Sequence, residues 1–157
     1  MKRFKAIALA VLLSAHAGLA SAADEDGKFA VKGAGKRLCS NFLLTAEQKS
    51  TDYYLYGGWL EGYISAYNRF QPENYDVTPW QTTELLLALL QQDCENNKER
   101  HFLTVTNSLL KALFPIRLPA ESALVAIDVN NAKSYFYVEI LKRAKQRLIK
   151  MGYLQDL

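Results

Sequence analysis

Residues 1–22 constrain everything that follows them. Lys2, Arg3 and Lys5 form a basic head, Ala6 to Leu13 an uncharged apolar run, and Ala20-Ser21-Ala22 a small-residue cleavage site, the three parts of an export signal. The apolar stretch is alanine-rich and broken by Ser14, His16 and Gly18, so it reads as a cleavable leader rather than a stable membrane insertion. The expected product begins near Ala23 and is periplasmic or secreted. An oxidising compartment is then where the rest of the chain folds, and its two cysteines, Cys39 and Cys94, are expected to pair. In the chain-entropy picture a loop of that length stabilises by about 4 kcal/mol. A redox or metal role would need another cysteine close in sequence, and neither has one.

The leader also changes the charge argument. The chain carries 19 Lys+Arg against 16 Asp+Glu, and three of the basic residues sit in the head, so the remainder is near neutral. That balance gives no support for a nucleic-acid partner. Lys142, Arg143, Lys145, Arg147 and Lys150 do gather near the end, where helical spacing reads as a solvated face. About 135 residues suffice for one domain with a real core.

Periodicity fills in the elements. Residues 23–37 hold Asp24, Glu25, Asp26 and Gly33-Ala34-Gly35 and read as a flexible N-terminus. Residues 38–118 read as a disulfide-linked helical domain. Thr45 with Gln48 has capping-box spacing, and Tyr53, Tyr56, Leu60, Tyr63, Ile64 and Tyr67 recur at helical steps until Pro72. Thr78, Pro79 and Gln81 predict the next helix start, and the run Leu85 to Leu90, apolar nearly all round, predicts the most buried helix, with Cys94 at its end. Phe102, Leu103, Thr106, Leu109, Leu110 and Leu113 trace a third helix, closed by Pro115. Residues 119–157 read as a connecting segment and a C-terminal amphipathic helix: Leu124, Val125, Ile127 and Val129 fit a short strand or an extended crossing, Asn130-Asn131 a turn, and Tyr137 to Met151 a helix with Gly152 at its cap. The expected fold is all-α, a compact bundle of three to four helices stapled by one disulfide.

Chemistry-bearing patterns are few. Gly57, Gly58 and Gly62 cost a helix roughly 1 kcal/mol each against alanine. Gly58, Gly62 and Ala66, four apart, form a small-residue ridge suited to close helix packing. Tyr54, Trp59, Tyr75 and Trp80 are candidate binding aromatics, since flat amphipathic rings anchor many interfaces. Glu61 lies beside that ridge and reads as a solvent-facing carboxylate. Apart from His16 in the leader, His101 is the one imidazole. With no metal-ligand cluster, no nucleophile beside a base and no phosphate loop, the reading is no catalytic residue, no metal and no cofactor. A carboxylate-dependent hydrolase built on Glu61 or Asp76 is the residual enzymatic alternative.

The order Cys39, then Gly57-Gly58-Trp59-Leu60-Glu61-Gly62-Tyr63-Ile64-Ser65-Ala66-Tyr67, then a leucine-rich helix reaching Cys94, then an amphipathic helix, resembles a known group. Over about residues 37–114 the chain is similar to the small exported helical proteins around the acid-activated periplasmic chaperone HdeA and the type VI secretion immunity proteins that block cell-wall amidases. The resemblance implies a disulfide-bonded helical protein that acts by binding protein. Tyr137 to Leu154, with Ile140-Leu141-Lys142-Arg143-Ala144-Lys145-Gln146-Arg147-Leu148 and Met151-Gly152-Tyr153-Leu154, resembles the opening helix and turn of a peptidoglycan-binding domain. The expected function is an exported, non-enzymatic, inhibitor- or immunity-like binder of a cell-envelope protein. An acid-activated chaperone and a peptidoglycan-associated protein are the alternatives, and a second copy of the chain is a candidate partner.

Overall fold

The computed structural model describes residues 23–129 and 132–155. The export signal expected over residues 1–22 and the turn expected at Asn130-Asn131 lie outside the described residues. The chain divides into two units, Met1–Ala30 and Val31–Leu157. In the first, the Asp24 carboxylate accepts the backbone N–H groups of Asp26 and Lys28 at 3.1 and 2.6 Å and closes a short polar loop.

In the second unit the described residues form α1 (Cys39–Gln48), α2 (Thr51–Phe70), α3 (Thr83–Asn96), α4 (Phe102–Leu113) and α5 (Val138–Lys150). An antiparallel hairpin of β1 (Leu124–Val129) and β2 (Ala132–Tyr137) separates α4 from α5, in register from Leu124 opposite Tyr137 to Val129 opposite Ala132. The protein is therefore mostly helical and joined by a Cys39–Cys94 disulfide, but the hairpin corrects the all-α expectation. Val125 and Ile127 in β1 and Tyr135, Phe136 and Tyr137 in β2 are β-branched and aromatic residues, the types that favour strands once the two segments can pair.

Helix starts differ from expectation for a physical reason. The helix expected from Thr45 is two helices, broken at Lys49, whose φ of 46° is left-handed. Thr45 is no cap: it lies inside α1 and donates its hydroxyl to the Phe42 carbonyl at 2.7 Å. The free N–H groups at the start of α1 are taken by distant carbonyls, Cys39 to Arg100 at 2.8 Å and Ser40 to Lys98 at 2.9 Å. Likewise α3 begins at Thr83, with Thr82 Oγ1 accepting the Leu85 N–H at 3.3 Å. Thr78 serves the preceding loop, donating its N–H and hydroxyl to Asp76 Oδ1 at 2.9 and 3.4 Å.

The core centres on three rings. Phe42, Tyr56 and Phe102 come from three different helices, and their centroids lie 4.8–4.9 Å apart. Leu60, Leu90, Val105 and Leu110 close around them, and both cysteines are fully buried. The disulfide spans 55 positions, so it restricts the unfolded chain by about 4 kcal/mol. The most buried helix is α4, which buries Phe102, Leu103, Val105, Thr106 and Leu110. The leucine run of α3 is one-sided, leaving Leu85 and Ala88 exposed. Residues 33–36, expected within a flexible N-terminus, form a 3-10 turn with Ala34 and Gly35 buried.

At the other end, α5 closes on Gly152, whose φ of 79° suits glycine. Gly152 donates to the Ile149 carbonyl and Tyr153 to that of Leu148, each at 2.9 Å, the pairing that satisfies a helix C-terminus. Among the described residues no helix is long and apolar enough to cross a membrane.

Candidate functional site

The candidate aromatics separate into two kinds. Trp59 is structural: its indole N–H donates to the Lys32 carbonyl at 2.8 Å, its ring stacks on Tyr63 at 5.1 Å, and it covers Gly35. Tyr54 is 71 % exposed on α2 and Trp80 is 49 % exposed in the loop before α3. Tyr75 is partly covered by Tyr137, ring edge to face at 6.1 Å. Burial, with Asp76 and Tyr75 nearby, pushes the Tyr137 hydroxyl up to about 12.

Gly58, Gly62 and Ala66 share an exposed face of α2, and a methyl added at either glycine meets nothing within 4 Å. Packing among the described residues therefore does not use this ridge. The glycine that faces another helix is Gly57, where a methyl would lie 3.5 Å from Leu87 and 3.6 Å from Thr83. Glu61 is exposed, as expected, and accepts the Thr83 hydroxyl at 2.5 Å. His101 sits at the start of α4 with Nδ1 donating to the Lys36 carbonyl at 2.9 Å, a tie between α4 and the 3-10 turn. Asp76 is the hub of its loop, and its backbone bridges Leu118.

One face brings several of these groups together with residues not singled out in the sequence. Trp80, Pro115, Ile116, Ile140, Arg143, Ala144 and Arg147 line a groove of about 610 Å³ between α5, the Trp80 loop and the turn Phe114–Ile116. A neighbouring hollow of about 680 Å³ is lined by Arg143, Gln146, Arg147, Lys150 and Met151. The loop is fixed by Asn68, whose side-chain oxygen accepts from Asn74 and Val77 at 2.9 and 3.0 Å. The helix is held by Arg143, which donates to the carbonyls of Ile116 and Arg117 at 3.1 and 3.0 Å and to Glu139 at 3.2 Å. Ser122 accepts the Glu139 N–H at 3.1 Å.

The electrostatics of this face are one-signed. Glu139 is the single acid of α5, and Arg143 engages it. Among the described residues Lys142, Lys145, Arg147 and Lys150 join no ion pair. No residue of α5 is buried, although Ile140, Ala144, Leu148 and Met151 recur at helical steps along it. Trp80, Ile116, Leu148 and Met151 are 41–58 % exposed. The groove thus offers apolar contact and positive charge, and among the described residues no carboxylate, imidazole, thiol or hydroxyl lines it. The aromatic Trp80 was legible in sequence; Ile116 and Pro115 were not, because only folding brings the end of α4 beside α5.

No protein-family model matches the sequence, and no curated protein and no solved structure matches the chain.

Proposed function

We propose that this is a non-catalytic binding protein of the cell envelope, exported and inhibitor- or immunity-like in action. Its partner is a protein that presents an apolar anchor flanked by carboxylates to the groove between Trp80 and α5. The observation that carries the reading is α5 itself: a helix with an apolar stripe, no buried residue, Arg147 beside an exposed tryptophan and Lys150 one turn further on, neither cation in an ion pair among the described residues. An apolar centre with a charged rim is how protein interfaces are built, and Trp and Arg carry much of their binding energy. A concave floor also suits a protein segment better than a flat lipid surface.

The test compares the tagged protein with Trp80→Ala and with the double charge reversal Arg147→Glu, Lys150→Glu, using periplasmic extract at neutral pH. One stoichiometric protein held by the wild type, lost from both variants and weakened by salt, supports the reading, because rim charges are screened. Retention unaffected by either variant refutes it. Many unrelated proteins retained only near about pH 3, where carboxylates are protonated, would establish the chaperone alternative instead. Binding to isolated sacculi, lost on deletion of residues 137–157, would establish the wall-associated one.

A further inference from the structure

The hairpin leaves the outer edge of β1 open. At its base the Val138 N–H donates to the Ala123 carbonyl at 2.9 Å, which makes Ala123 and Val138 a hydrogen-bonded pair. In an antiparallel ladder such pairs alternate with pairs that exchange no bonds. With Leu124 next, opposite Tyr137, the backbone groups of Leu124, Ala126 and Asp128 therefore turn away from β2. Those of Tyr137, Tyr135 and Lys133 turn away from β1 on the other side. Leu124, Ala126 and Asp128 are all exposed, and no backbone group outside the hairpin pairs with them among the described residues.

The two edges are not equivalent. The β2 edge carries Lys133, a residue type that deters edge pairing, and Tyr137 at its end packs against Tyr75 before the chain enters α5. The β1 edge has no lysine and no proline, and its register runs unbroken over the whole strand. A two-stranded sheet is marginal by itself, so a further strand would stabilise it. Register says which strand fits. Only residues whose N–H and carbonyl face outward bond across an edge. Against a second β1 running antiparallel, all three outward residues are used only when Ala126 lies opposite Ala126 and Leu124 opposite Asp128 at both ends. A shift either way loses a pair. That register gives about six backbone hydrogen bonds, two in each pair. It sets Val125 opposite Ile127 twice on one face, the β-branched pairing that sheets favour. No like charges meet, because each Asp128 faces a leucine.

We infer that β1 is a self-association edge: two copies of this chain pair β1 to β1, antiparallel about Ala126, and build a four-stranded sheet in the order β2-β1-β1-β2. The contact is isologous, so it closes at two copies. Two short strands bury less than a standard interface, and the expected dissociation constant lies between about 10 µM and 1 mM. Sedimentation equilibrium of the disulfide-bonded protein from about 5 µM to about 2 mM spans that range. Amide hydrogen exchange followed by NMR at both ends of it locates the contact.

The expected mass rises from one copy to two, and the Ala126 N–H is protected only at the high concentration. Ala126→Pro deletes a donor that β2 does not use, at a position where an edge strand tolerates proline, so the hairpin stays and pairing weakens at least about tenfold. Ala126→Lys and Ala126→Glu each set like charges face to face across the axis and weaken pairing several-fold. Mixed one to one they set opposite charges there, and the dimer returns. This second pair of variants decides the matter even if the proline disrupts the hairpin. A chain still monomeric at the highest concentration, a dimer indifferent to Ala126→Lys, or a mixture that fails to recover overturns the inference. Growth beyond two copies would mean that β1 meets β2 of the next copy. Saturable binding of an extended apolar peptide by a chain that stays monomeric would mean that a foreign strand covers the edge. Either outcome also overturns it. None of these results depends on the α5 groove.

Discussion

Gly35→Ala tests how tightly the segment before α1 is locked to the bundle. A methyl at that position would lie 2.7 Å from Cε2 and Cη2 of Trp59 and closer still to Cζ2. Carbon atoms in contact rest at about 3.5–4.0 Å, so either the turn or the indole must withdraw by more than about 1 Å. The indole is not free to do so. Its N–H bond to the Lys32 carbonyl, 2.8 Å long, would be lost at about 1 kcal/mol net. Its stack on Tyr63, centroids 5.1 Å apart, would be lost at about 0.5–1.5 kcal/mol. With the remaining strain the cost is about 2–3 kcal/mol, within the range for overpacked sites. For a domain of this size the melting temperature should fall by about 8–10 °C. Urea unfolding followed by far-UV circular dichroism measures it, with a lower midpoint and an unchanged slope. The same substitution in a Trp59→Leu background should cost less than about 0.5 kcal/mol, because the atoms it meets are gone. A wild-type midpoint for Gly35→Ala, or an equal cost in both backgrounds, would refute the argument.

Gly58→Ala and Gly62→Ala lie on an open helix face and should each stabilise α2 by about 1 kcal/mol; a loss of stability in urea would mean that something covers the ridge. Tyr137 ionises late because burial and Asp76 disfavour its phenolate, so its folded value of about 12 exceeds the ordinary 10. The stability it contributes is complete below the ordinary value and is lost as pH rises through the folded one. In a phenolate absorbance titration, Tyr137→Phe should delete one tyrosine from the late step and none from the ordinary one; deletion from the ordinary step would contradict the burial.

Where the sequence could be read, local physics was enough. The stripe Phe102 to Leu113 coincides with α4, and Pro115 falls in the turn that closes it, because a one-sided apolar period and a missing N–H act within a few residues. Helix starts were misread at Thr45 and Thr78 because capping-box spacing is a local signal, whereas α1 satisfies its N–H groups with carbonyls of Lys98 and Arg100. β2 escaped for a similar reason: Ala132 to Tyr137 becomes a strand by pairing with β1, and its own outward residues carry no buried face. At the groove beside α5, Trp80 was legible as one of four candidate aromatics, while the basic cluster on α5 read as a solvated face. Its meaning depends on Ile116 and Pro115 lying beside it, a long-range placement.

Both sulfurs of the Cys39–Cys94 bond are shut away from solvent at the first turn of α1 and the last turn of α3. Thiol exchange requires a thiolate to reach a sulfur directly, so a reductant must wait until these helices part. The bond therefore reports on opening of the core: the speed of its reduction in excess thiol is a clock for that event, and stabilising the aromatic centre should slow the clock without touching either cysteine. Once opened and cut, the chain loses the tether between the two helices, so refolding has to compete with a longer search. In an environment that turns reducing, the working life of the protein is set by how rarely its core opens.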